Sequence, residues 1–189
     1  FSPSGWNRKS KNIIMKTNTN TVLNVLRIIS WIALIGYAIE AGSMFISFVV
    51  SLKNTEAAED LYRGLNLSGA LEMGLWHYFS AFSLLVAVPL LKSGVWYKIM
   101  LLLSKLDIVK PFHPSMPKKF ERISYDLFSI GMIIFLSNSY NQSLNKFIST
   151  SLPISRTVES FLFMAALVYV LSQIFKKGIE LQTENELTV

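Results

Sequence analysis

Apolar residues in this chain fall in long unbroken runs rather than in alternation. The longest covers about residues 25–52, VLRIISWIALIGYAIEAGSMFISFVVSL, with Arg27 near its start and Lys53 just past its end. About 20 apolar residues carry a helix across a hydrocarbon core of roughly 30 Å, so this run predicts a first, tilted transmembrane helix. A second run, about residues 71–92, opens with Trp76, His77 and Tyr78, where an interfacial aromatic belt belongs. Pro89 marks a candidate kink near its far end. The segment VWYKIMLLLSKL beyond Gly94 predicts a continuation of that helix, with Lys92 and Lys98 snorkelling, in preference to a separate interfacial helix. A third run occupies about 120–140 and a fourth about 158–175, closed by Lys176 and Lys177. Barrel strands alternate over about ten residues, and these runs do not. In lipid, a helix satisfies its own backbone within one segment. The expected fold class is therefore all-α, an integral membrane four-helix bundle.

The intervening segments are polar. Residues 53–72 read KNTEAAEDLYRGLNLSGALE, and AAEDLYRGL predicts a short surface helix ended by Gly64. Residues 107–119 carry Pro111, Pro114 and Pro117, which exclude regular helix there. Residues 138–157 are rich in Ser and Asn, and residues 178–189 form a short acidic tail. No repeat of 20–50 residues is visible, so residues 15–189 read as one four-span domain. Residues 1–14 differ in character from the rest and do not open with Met. They are expected to be a non-native or misannotated leader, with Met15 the natural start. The first run lacks a small-x-small cleavage site and is expected to be a retained span, not a signal peptide.

Charge fixes the expected orientation. Charged residues are only 16% of the chain, against about 25% in soluble domains, while hydrophobic residues reach 51%. The N-terminal flank, the proline loop (Lys110, Lys118, Lys119) and the end of the fourth run are basic. The other two loops carry only Lys53, Arg63, Lys146 and Arg156. The positive-inside rule then predicts both termini and the proline loop in the cytoplasm of a multi-pass inner-membrane protein. The net charge of +6 fits contact with anionic lipid headgroups. No basic helix or aromatic-basic platform points to direct nucleic-acid binding.

Candidate chemistry is sparse. Glu40 lies near the middle of the first run, where a carboxylate costs roughly 2.5–3.5 kcal/mol to insert. It reads either as a structural hydrogen bond between helices or as an ion or proton relay. Gly36, Ala41, Gly42 and Ser43 beside it would allow close helix approach. Glu72, Trp76 and His77 are interfacial candidates. With two histidines, no cysteine and no HExxH spacing, no metal is expected. There is no GxSxG, P-loop or dinucleotide fingerprint, so neither enzyme activity nor a cofactor is expected. Asp126 and Glu159 sit at helix starts, where an acid suits the helix dipole. Pro111 and Phe112 in the basic loop, and Glu180, Glu184, Asn185 and Glu186 in the tail, are candidate partner-binding residues.

Several short motifs occur in a recognisable order. They are Glu40-Ala41-Gly42, Trp76-His77-Tyr78, Pro111-Phe112 and Ile123-Ser124-Tyr125, then Gly178-Ile179-Glu180-Leu181-Gln182 and Glu184-Asn185-Glu186-Leu187-Thr188-Val189. On these the chain resembles the bacterial membrane proteins grouped as domain of unknown function 2975, over about residues 26–189. Glu186 departs from the pattern, which has Asp there. The resemblance implies four membrane spans and no assigned activity. Such proteins are often encoded beside a small Cro-type helix-turn-helix regulator, so it also implies tethering or control of that DNA-binding partner at the membrane. The alternative expectation is a subunit of a small transporter or channel using Glu40, which would require a homo-oligomer or a second subunit.

Overall fold

The computed structural model describes the backbone of residues 4–104, 113–144 and 158–187, and the side chains of residues 21–54, 56–104, 113–143 and 158–185 among them. Among the described residues five α-helices follow one another: α1 (Ser4–Ser51), α2 (Ser68–Glu72), α3 (Leu75–Ser104), α4 (Met116–Leu144) and α5 (Val158–Leu187). The described residues contain no strand, only an isolated bridge between Leu61 and Leu65.

The four long helices pack in chain order, α1 on α3, α3 on α4 and α4 on α5. Polar ties at both ends show that each is antiparallel to the one before. Arg27 of α1 donates to the Leu103 carbonyl at 3.1 and 2.8 Å, while Ser51 and Tyr78 share a hydrogen bond at the other end of the same pair. Ser93 Oγ donates to the Leu34 carbonyl between them. His77 meets Tyr140 at one end of the α3–α4 pair, and Lys98 meets Asp126 towards the other. Ser124 and Ser172 donate to the carbonyls of Ala165 and Pro117 across α4 and α5.

The core divides in two. Between α1 and α3, the Phe48 ring stacks on Phe82 with centroids 3.8 Å apart and on Tyr78 at 5.1 Å. Leu61, Leu65 and Leu67 of the intervening loop are buried against the same rings. Those leucines explain why the short surface helix expected over AAEDLYRGL does not form. A helix ended by Gly64 would leave Leu67 beyond it, whereas a chain that reverses at Arg63 and Gly64 buries all three leucines. Two short 3-10 turns, Thr55–Ala58 and Tyr62–Gly64, stand there instead. Arg63 (φ 61°) and Gly64 (φ 72°) make the left-handed reversal. The second cluster lies lower, where Ile123, Leu127, Ile130 and Ile134 of α4 repeat at helical spacing against Val95, Leu102 and Ala165.

Outward, the surface is apolar: Ile32, Ile46, Phe163 and Trp76 are 67%, 66%, 65% and 82% exposed. Apolar patches of this extent mark contact with lipid or another protein. Thr21–Ser51, Leu75–Ser104 and Val158–Asn185 are long and apolar enough to cross a membrane. α4 has the length but not the hydropathy. Lys118, Lys119, Glu121, Arg122 and Asp126 crowd its first turns, and Ser137–Ser143 is polar.

Two boundaries differ from expectation. The second run does not begin at Leu71 as one helix, because Gly74 (φ 124°) separates α2 from α3. α3 then runs unbroken through Pro89 to Ser104, the continuation reading rather than the separate interfacial helix. The tail is no loose appendage either, since α5 stays helical to Leu187.

Candidate functional site

Glu40, the acid in the apolar run of α1, has a partner from an unexpected direction. Arg63 Nη1 donates to Glu40 Oε1 at 3.3 Å, with the side chains 69% and 24% exposed. Glu40 lies eleven residues before the end of α1 at Ser51, about 16 Å along the axis at 1.5 Å per residue. The loop after α1 therefore folds back along the helix and delivers a guanidinium about three turns down it. A fork of N–H donors opposite a carboxylate is a complementary pairing. As a sequence signal, Arg63 reads only as one of the few bases in a non-cytoplasmic loop, and nothing in the spacing of positions 40 and 63 announces the contact.

Gly36 and Gly42 are not points of close helix approach. A Cβ built at either meets nothing within 4 Å. The close approach lies at Gly131 of α4, where a Cβ would stand 3.0 Å from Leu162 Cδ2 and 3.6 Å from Phe161 Cβ on α5.

His77 and Glu72 do not come together as a site. His77 Nδ1 lies 3.0 Å from the Tyr140 hydroxyl, which also lies 2.8 Å from Ser80 Oγ. This three-residue network ties α3 to the far end of α4. Glu72 is exposed at the end of α2, and Trp76 faces outward. No group of three or more His, Cys, Asp or Glu among the described residues could hold a metal ion. Asp126 does more than favour a helix dipole, for it takes the ammonium of Lys98 across α3 and α4. Those two residues look unremarkable in sequence. Only the antiparallel register makes them neighbours.

Pro111 and Phe112 lie outside the described residues. So does the side chain of Glu186, although its backbone belongs to α5. The other tail candidates sit on a helix. Lys177, Glu180, Leu181, Glu184 and Asn185 fall at i, i+3, i+4, i+7 and i+8, one face of α5. Glu180 bonds Lys177 at 3.2 Å, and Leu181 is 49% exposed between the two acids. The face is an acidic stripe with one apolar residue at its centre, held rigid by the helix that carries it.

No curated protein and no solved structure matches the chain. Residues 74–189 match a family described as a protein of unknown function, DUF2975. The match begins at the glycine before α3 and takes in α3, α4, α5 and the acidic stripe, while α1 and the loop that carries Arg63 lie before it. With more than half of its length matched, the chain belongs to the DUF2975 family.

Proposed function

We propose that this is a multi-pass protein of the bacterial inner membrane that holds a cytoplasmic helix-turn-helix regulator against the membrane through the protruding end of α5. In this reading α1, α3, α4 and α5 all cross the bilayer, both termini face the cytoplasm, and the protein carries no catalysis of its own. The observation that carries it is the unbroken continuation of α5 for ten residues past Lys177, about 15 Å at 1.5 Å per residue. A helix that merely ended at the membrane would not need an ordered acidic stripe beyond its basic anchor.

The chemistry suits such a partner. A regulator that binds DNA carries Lys and Arg to meet phosphates. Carboxylates presented on a rigid face compete for the same side chains, and charge complementarity sets which partner is held. Leu181 gives the contact an apolar centre. Transport through Glu40 has less to stand on, since that carboxylate is already engaged by Arg63.

The test is co-purification from membranes in mild detergent. The full chain is compared with a chain ending at Lys177. A DNA-binding protein retained by the first and lost from the second is the expected result. Equal recovery with both chains, or no soluble partner with either, contradicts the proposal.

A further inference from the structure

A crevice of about 600 Å³ opens between α1, α3, α4 and α5, almost wholly apolar in its lining. Its lining changes in one respect along its length. At one end stand Leu102 of α3, Phe120 of α4 and Leu171 of α5. At the other stands Lys92 of α3, with its Nζ 5.4 Å from the centre of the Tyr37 ring of α1 and 5.3 Å from that of Phe161 of α5. The two ends are ten residues of α3 apart, about 15 Å.

Lys92 differs from Arg27, Lys98 and Arg63. Arg27 has the Leu103 carbonyl, Lys98 has Asp126 and Arg63 has Glu40. No oxygen among the described residues accepts a hydrogen bond from Lys92, whose contacts are the two ring faces. It sits seventeen residues from the first residue of α3 and twelve from the last, about 26 and 18 Å along the axis. A charge at that depth in a span is expensive and is found paired or at a functional site. Ring faces attract the ammonium, and they leave its three N–H groups without a lone-pair acceptor. An ammonium lacking an acceptor at the head of a long apolar crevice is the complement of an anion carrying a chain.

We propose that the crevice binds an anionic amphiphile, its carboxylate or phosphate on Lys92 and one acyl chain laid towards Leu102, Phe120 and Leu171. The Tyr37 and Phe161 rings hold the ammonium aimed at the head while the crevice is filled. The inference depends on α3 crossing the bilayer and is independent of what α5 holds in the cytoplasm. A free fatty acid and an anionic phospholipid share the required chemistry, and the test separates them.

The full chain, reconstituted in vesicles of neutral phosphatidylcholine, is irradiated with one of three photoreactive probes bearing the same diazirine chain: palmitic acid, phosphatidylglycerol, or the neutral palmityl alcohol. The acid or the phosphatidylglycerol is expected to label peptides of α3, α4 and α5 that line the crevice, and the alcohol about ten-fold less. Labelling by the acid alone assigns a fatty acid, and labelling by phosphatidylglycerol assigns a bilayer lipid. Lys92→Gln is expected to reduce labelling about ten-fold, the loss of one charge-assisted bond, and Lys92→Arg to retain it. Equal labelling by the alcohol on the unaltered chain overturns the proposal, whatever the folding of the variants. So does full labelling of Lys92→Gln, or labelling that maps away from the crevice.

Discussion

Gly131 sets how closely α4 and α5 approach, because a side chain there would meet Leu162 at 3.0 Å. Gly131→Leu is expected to destabilise the protein by about 1–3 kcal/mol through overpacking, read as a lower midpoint in detergent-denaturant unfolding. Gly36→Leu faces open space and is expected to leave that midpoint unchanged. A small residue in a span says that close approach is allowed. Which small residue is used depends on the face that meets a neighbour: of Gly36, Ala41 and Gly42 in α1, Ala41 is buried while the two glycines face open space. The Lys98–Asp126 pair is a second case. With side chains 39% and 24% exposed, it bridges α3 and α4 at a partly buried position. Lys98→Met alone strands a carboxylate and is expected to cost about 1–3 kcal/mol. Lys98→Met with Asp126→Leu removes both charges and is expected to cost less than the single change. A double change that sums the two single ones would show that the pair does not interact.

Helices were the most readable elements, since a continuous apolar run in lipid leaves the backbone no other solution. The ends of α3 and α5 were less so. α3 continues past Lys92 and Gly94 to Ser104, and α5 continues past Lys177 to Leu187 with a Lys177–Glu180 pair one turn on. The loop between α1 and α3 was misread outright. Its polar composition suggests a solvated surface segment, yet Leu61, Leu65 and Leu67 are core residues, and their placement depends on rings that lie elsewhere in the chain. For α5, helicity itself is open to test. Gly178→Pro interrupts the helix at the membrane exit and costs about 3 kcal/mol locally without changing the acidic residues beyond it. It is expected to abolish retention of the proposed cytoplasmic partner with the membrane level of the protein unchanged. Undiminished retention would show that the tail's composition, not its rigid presentation, makes the contact.

For the molecule as a whole, the crossing of α4 decides the topology. Three helices qualify as spans by length and composition. α4 is packed against two of them, so the buried stripe Ile123, Leu127, Ile130 and Ile134 needs no lipid-facing hydropathy to match. If α4 crosses, the end of α5 returns to the side from which α1 set out. If it does not, an odd number of crossings puts the acidic stripe on the outer side, and no cytoplasmic protein can reach it. The absence of cysteine makes the measurement clean, because any introduced thiol is the only one. Ser143→Cys at the far end of α4 and Thr183→Cys on α5 both fall at exposed positions. Spheroplasts are treated with a membrane-impermeant maleimide before and after lysis. Ser143→Cys is expected to be labelled in intact spheroplasts and Thr183→Cys only after lysis. The reverse pattern, or labelling of both from one side, would contradict it.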